Sequence, residues 1–193
     1  MKYFIPFLLL MNSFGYLYPQ TVISDYYITQ DNDTIPVTVQ FKKGLFGQIT
    51  NDFIKEVIVI ESNKDSKKFG PEDINGYGFT YQDVNYSYVS KPTKNGSKKF
   101  LVPVVLGPKT SLYQYTIFST GGAINNKKVF YTFEKNDNTY LFLSNTISKK
   151  SQLQLKEFYK ENPEVGELID TKLKYWLEID EDLREILATF NNS

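Results

Sequence analysis

The residues of this chain that could do chemistry are carboxylates, lysines and tyrosines. Glu56, Glu61, Glu72, Asp73 and Glu134 all fall in the strand-forming part of the sequence. A pair of such carboxyls about 5–10 Å apart, one with a raised pKa, is the machinery of a glycosidase. Glu72 and Asp73 are adjacent, between Pro71 and Gly76, in the stretch FGPEDINGYGFTY (69–81). Adjacent residues on a strand point to opposite faces, so they make a poor pair for one substrate unless the chain turns between them. The stretch is better read as a corner, with Asn75-Gly76 as its turn and Gly78 relieving crowding where an aromatic strand begins.

Missing atoms exclude more than the present ones suggest. The chain has no histidine and no cysteine. That removes Ser-His-Asp and Cys-His nucleophilic catalysis, histidine general-base catalysis and the usual zinc and iron sites. No phosphate-binding P-loop pattern is present, and Gly76-Tyr77-Gly78 lacks the third glycine of a dinucleotide loop. QDNDT (30–34) begins like a calcium loop, but its twelfth position is Lys42 where a bidentate Glu is required, so it reads as a hairpin turn. No metal site and no cofactor are expected.

Tyrosine offers a different chemistry, that of a stacking surface. Tyr86 and Tyr88 share one face of an expected strand, and Tyr113 and Tyr115 share one face of another. An exposed row of such rings would bind sugars or peptides; a buried row would be core and cross-strand pairs. These four tyrosines are the candidate ligand-binding residues.

The elements that must position them are strands first and helices last. The chain has 193 residues, 41% of them hydrophobic, with 15 Tyr, 15 Phe and one Trp. Such a composition leans toward sheet. DYYIT (25–29), TIPVTVQF (34–41), FIKEVIVIE (53–61), YGFTY (77–81), VNYSYVS (84–90), KKFLVPVVL (98–106), SLYQYTIFS (111–119), KVFYTFE (128–134) and TYLFLSN (139–145) read as short strands. Turn residues separate them at Asn63–Ser66, Asn95-Gly96, Gly107-Pro108, Gly121-Gly122 and Asn136–Asn138. TYLFLSN is apolar on both faces, which suits a central strand.

After Ile147 the apolar period becomes helical. Ser151 can cap a first helix carrying Leu153, Leu155, Phe158 and Tyr159. Asn162-Pro163 ends it and begins a second, which carries Val165, Ile169, Leu173 and Trp176. Asp180 can cap a third with Leu183, Ile186, Leu187 and Phe190 on one side. The expected fold class is therefore α+β, an antiparallel β meander forming a sandwich or a partly closed barrel. A C-terminal segment of two to three helices packs on it. The β-rich region spans 16–147 and the helical segment 148–193, in one domain with it.

Residues 1–15 read as a secretory signal peptide. Lys2 precedes the apolar run YFIPFLLLM (3–11), and the small residues Ser13 and Gly15 fit a cleavage site. The run is far shorter than the ~20 residues a membrane-spanning helix needs, so no integral span remains after cleavage. Cleavage leaves 21 basic against 22 acidic residues, a net charge of −1. That balance, with Arg184 as the single arginine, argues against nucleic acid as a partner. The tail from Glu164 carries eight acids against three bases; it suits helix starts and could also dock a partner.

The order of these features resembles a group of exported, uncharacterised β-rich proteins of Gram-negative bacterial envelopes. The resemblance rests on the Asp33-Thr34-Ile35 turn exit, the F-x-P-E-D-I-x-G-x-G-F segment (Phe69 to Phe79), the aromatic strands and the helical tail ending in Asn191-Asn192. It implies a periplasmic, outer-membrane-associated or extracellular protein with no assigned activity. Its tail often carries Cys-Pro where this chain has Asn162-Pro163, so a role tied to that cysteine does not carry over. The expected function is a non-enzymatic binding or structural module whose partner is an envelope protein or a glycan. The alternative is a carboxylate-based, glycosidase-like hydrolase acting outside the cytoplasm.

Overall fold

The computed structural model describes residues 25–42, 52–119, 126–144, 148–173 and 179–193. The expected signal segment and Trp176 lie outside the described residues. The chain is α+β, with one eight-stranded antiparallel sheet, a separate three-stranded antiparallel sheet and three C-terminal helices. The large sheet is open rather than closed into a barrel, so its two ends are edges. Among the described residues no helix is long and apolar enough to cross a membrane.

Alternation of side chains builds the large sheet. Its strands are β1 (Tyr26–Ile28), β2 (Thr34–Pro36), β6 (Gly76–Tyr81), β7 (Val84–Pro92), β8 (Lys98–Val105), β9 (Thr110–Ser119), β10 (Asn126–Lys135) and β11 (Tyr140–Ser144), in the spatial order β11-β10-β9-β8-β7-β6-β1-β2. From β6 to β11 each strand pairs with its sequence neighbour, as short links and turn residues require. The remaining strands, β3 (Thr38–Val39), β4 (Val57–Ile60) and β5 (Ser66–Phe69), form the small sheet.

One face of the large sheet carries two covering layers. At the β1–β8 end Tyr27, Tyr77, Phe79 and Phe100 pack against Val39, Val57 and Val59 of the small sheet. At the β8–β11 end Leu112, Tyr131, Phe133 and Leu143 pack against the helices α1 (Lys149–Phe158), α2 (Pro163–Lys172) and α3 (Ile179–Asn192). The helices supply Leu155, Val165, Ile169, Leu183, Ile186 and Leu187, the apolar positions that helical spacing aligns. Fully burying side chains of this size stabilises by roughly 1.5–3 kcal/mol each before ordering costs. The opposite face has no covering layer among the described residues.

Several boundaries differ from expectation. TIPVTVQF divides at Pro36, with β2 in the large sheet and β3 in the small one. FIKEVIVIE forms a strand only from Val57, because residues 53–55 turn. β11 lies at the edge of the sheet, not its centre. Its two-sided apolar character has another cause: Leu141 and Leu143 meet the helical core, while Phe142 faces the uncovered side. Ser148 rather than Ser151 caps α1, with Ser151 at the third helical position completing a reciprocal capping box. Asn162 caps α2 as expected, its side chain accepting from the Val165 amide at 3.2 Å, with Pro163 in the first turn. α3 begins at Ile179, so Asp180 lies within its first turn instead of capping it.

The corner at 69–81 is a corner, but its glycine works differently from a turn glycine. Asp73 turns the chain by accepting from the Gly70 amide at 2.7 Å while its own amide donates to the Gly70 carbonyl. Asn75 bends the chain into β6, which begins at Gly76: the Asn75 amide donates to Ile28 O, and the Ser90 amide donates to Asn75 O. Gly76 is required by close approach, since a Cβ there would lie 2.6 Å from the Tyr88 carbonyl oxygen.

Candidate functional site

The uncovered face of the large sheet is concave. Lys91 on β7 and Glu134 on β10 are separated by two intervening strands, a span of about 14 Å in a flat sheet. Their side chains reach over β8 and β9 to bring the charged groups 2.6 Å apart, and one cavity is lined from the β7–β8 hairpin round to β11, so the sheet curls toward this face. The bulge between Pro103 and Val105, where β8 carries an extra residue against β9, supplies a local bend.

The inner part of the concave face is a closed polar network. Lys91 Nζ donates to Glu134 Oε1 at 2.7 Å and lies 2.6 Å from Oε2. The Tyr140 hydroxyl donates to Glu134 Oε1 at 2.7 Å, and the Tyr113 hydroxyl also hydrogen-bonds that carboxylate. Lys91 Nζ sits over the Tyr113 ring, 4.9 Å from its centre. Desolvation is the largest single influence on Glu134 and raises its pKa, but the bonds from Lys91, Tyr140 and Tyr113 outweigh it and hold the carboxyl below its ordinary value. Burial first, then the same carboxylate, pushes the Tyr113 hydroxyl up and the Tyr140 hydroxyl to about 12. These shifts favour the ionised carboxyl of Glu134 and the neutral hydroxyls of Tyr113 and Tyr140 at neutral pH.

The outer part is a cavity of about 760 Å³. Its walls come from the β7–β8 hairpin (Thr93, Lys94, Asn95), β8 (Lys99) and β9–β11 (Tyr115, Ile117, Lys128, Phe130, Thr132, Phe142, Ser144). Strand register explains the gathering: Tyr115 pairs with Phe130, Ile117 with Lys128 and Thr132 with Phe142, so all six point the same way. The Tyr115 and Phe130 rings stack with centres 4.9 Å apart. Lys99 Nζ lies 5.9 Å from the Tyr115 centre and Lys128 Nζ 5.2 Å from the Phe130 centre, placing a cation beside each ring. The hairpin rim is fixed by its own bonds. The Gly96 amide donates to Thr93 O at 2.8 Å, the Thr93 amide to Ser97 O at 2.9 Å, and Ser97 Oγ bonds Asn95 Oδ1 at 2.8 Å.

The four candidate tyrosines are not brought together. Tyr86 and Tyr88 project to the covered side, stacked on Phe79 and Tyr77 with ring centres 5.0 and 4.9 Å apart. Tyr88 borders a hollow with Val102, Gln114 and Phe118, and Tyr86 is 38% exposed. Tyr113 and Tyr115 share the concave face, Tyr113 only 5% exposed within the polar network and Tyr115 in the cavity wall. Sequence reasoning passed over Lys94, Lys99, Lys128, Phe130 and Phe142. The signal for two of them was present: Lys128 and Phe130 are two apart on the strand whose other face carries Val129, Tyr131 and Phe133.

Each of the five candidate carboxylates is engaged by its own partner. Lys42 and Lys68 both bind Glu56, and their hydrogen bonds lower its carboxyl to about 2. Glu61 binds Lys67 and accepts from Tyr27, and its pKa is lowered, chiefly by the Lys67 bond. Glu72 faces Lys98 at 3.3 Å, and Asp73 closes the corner. Glu134, in the network, is also lowered. A glycosidase needs one carboxyl raised, and Glu56, Glu61 and Glu134 all move the other way. QDNDT is a hairpin turn: Thr29 N donates to Asp33 O at 2.9 Å, and Asn32 takes φ 67°. Among the described residues no cluster of three or more acidic groups could hold a metal ion.

The chain matches no family model, and comparison with curated proteins and with solved structures finds no similar protein.

Proposed function

We propose that this protein is an exported, non-enzymatic binding module of the bacterial cell envelope or the secreted fraction, akin to the β-rich exported group its sequence resembles, and that it holds its ligand on the concave face. The observation that carries the reading is the cavity between the β7–β8 hairpin and β9–β11, a half-open space of about 760 Å³ with an aromatic wall and a hydrogen-bonded rim. That volume is within the range of small-molecule sites. Glu134, the carboxylate of the adjoining network, is held in an ion pair with Lys91, which favours binding over turnover. The N-terminal pattern of Lys2, a nine-residue apolar run and small residues supports export.

Two measurements test this reading. The N-terminal mass of the chain recovered from expressing bacteria, with fractionation, should show loss of about the first 15 residues and recovery outside the cytoplasm. An intact N-terminus with a cytoplasmic location refutes export. Ligand-observed NMR against envelope glycans and peptides should give binders that Phe130→Ala weakens while the amide spectrum stays folded. Turnover of any of these compounds that Glu134→Gln abolishes refutes the binding module.

A further inference from the structure

We infer that the cavity on the concave face takes a small organic anion: a carboxylate or phosphate group held by Lys94, Lys99 and Lys128, with a flat apolar body against Tyr115, Phe130 and Phe142. The inference rests on the concave-face reading above and adds the chemical class of the ligand.

Charge carries the first part. Three ammonium groups line the cavity and no Asp or Glu does. Among the described residues none of the three lysines has an ion-pair partner, whereas ten other cations do. In a chain whose charge balances overall, such a one-signed wall is a local feature. The nearest carboxylate of the concave face, Glu134, is already neutralised by Lys91 and does not cancel it.

A lysine group on a sheet is ordinarily a solvated surface, so charge alone is insufficient. The cavity floor supplies a second, independent observation. Thr132 lines the cavity and is only 1% exposed, yet its Oγ1 has no hydrogen-bond partner. A buried hydroxyl left unpaired costs stability, and residues retained at such a cost cluster at binding sites. The rings add to the selectivity. Tyr115 and Phe130 stack on each other in the cavity wall and give a flat body an apolar surface to pack against. An anion meets favourable charge from the three lysines. Lysine heads act as point charges, so carboxylate and phosphate are recognised alike here; the one arginine is committed elsewhere, Arg184 Nη1 donating to Val104 O at 2.6 Å.

The test uses 2-naphthoate, 2-naphthyl phosphate and the neutral 2-naphthamide, titrated into the chain as isolated and followed by backbone amide shifts. The expected result is that one or both anions bind with shifts at Lys99, Phe130 and Thr132, and bind at least about tenfold more tightly than the amide. Lys99→Gln and Lys128→Gln should each weaken anion binding about fivefold, and raising salt should weaken it further. Lys127→Gln, one residue away and directed to the other side of the strand, should leave it unchanged. Thr132→Val keeps the shape of the floor and should weaken binding without loss of stability. The relative affinity of naphthoate and naphthyl phosphate decides between the two anionic groups. Equal binding of the amide in the same cavity overturns the anion inference and leaves the binding module standing. Anion binding that maps elsewhere, or none from any probe, overturns the inference. If envelope ligands then bind away from this face, the concave-face reading falls with it.

Discussion

Replacing Glu134 by Gln tests whether the Lys91–Glu134 pair holds the curl of the large sheet. The substitution keeps the shape and leaves an amide oxygen for the Tyr113 and Tyr140 hydroxyls, but removes the charge facing Lys91. Both side chains are mostly withdrawn from water, Glu134 12% and Lys91 22% exposed. Stranding one partner of a fully buried pair costs about 3–5 kcal/mol. Partial exposure lets Lys91 recover some hydration, so the expected loss is about 2 kcal/mol. Lys91→Met removes the stranded charge, and the double variant should recover about 1 kcal/mol relative to additivity. Urea unfolding at pH 7 followed by tyrosine fluorescence and far-UV dichroism measures all four proteins. The pH dependence has a definite sign. Glu134 titrates below its ordinary 4.5 in the folded chain, so its contribution is fully present above that value. It is lost as pH falls through the lowered folded pKa, and the gap between wild type and Glu134→Gln should close over that acid range. A variant within 0.5 kcal/mol of wild type at pH 7, or a gap that widens on acidification, refutes the account (0.5 kcal/mol being roughly the scatter of neutral surface changes).

Four further outcomes follow from the packing. Gly76→Val should destabilise by about 3 kcal/mol or more in urea, because its Cβ meets the Tyr88 carbonyl oxygen at 2.6 Å and backbone yields poorly. Gly96→Ala, at φ +81° with open space around it, should cost only about 1 kcal/mol, and equal losses at the two positions would refute the close-approach account. Asn191→Ala should cost about 1–3 kcal/mol, since its side chain accepts from the Lys109 and Thr110 amides and donates to Thr110 O; hydrogen exchange at those two amides should rise, and unchanged protection would refute the clamp. Tyr131→Phe removes a hydroxyl that donates to Asp180 Oδ1 at 2.5 Å and should cost about 1 kcal/mol in thermal unfolding, with no loss expected if the bond contributes nothing.

Much of this architecture is legible in the sequence because period-2 and period-3.6 patterns reflect which side is buried. Val129, Tyr131 and Phe133 announce a covered face, and Leu183, Ile186, Leu187 and Phe190 announce a helix packed along one stripe. Where burial is slight the pattern vanishes. β5 reads Ser-Lys-Lys-Phe, with its first three residues exposed, and carries no alternation to detect. The division of TIPVTVQF between two sheets is equally hidden, because Pro36 signals a weak point without saying where the chain goes next. The candidate site is less legible still. Lys94 and Lys99 come from one hairpin, and Lys128, Phe130 and Phe142 from strands some thirty to fifty residues later. Their convergence depends on the curl of the sheet, which no local spacing encodes.

The curl also explains why the concave face, rather than the covered one, is available for binding. On the covered face aromatic side chains are spent on two cores, where Tyr77, Phe79 and Phe100 meet the small sheet and Tyr131 and Phe133 meet the helices. The concave face buries residues without any layer above it: Leu101 is 0% exposed and Thr132 1%. Lys91 and Glu134 are joined across this face. A face closed by curvature is shaped before a ligand arrives, so little ordering cost falls on binding. The tie joins β7 to β10, strands on opposite sides of the cavity, so the cavity's width is expected to follow it. Loosening the tie should alter amide shifts at Tyr115 and Phe130 as well as global stability. A Glu134→Gln protein that loses stability while those shifts stay fixed would separate the two roles and place the cavity's shape in the β7–β8 hairpin instead.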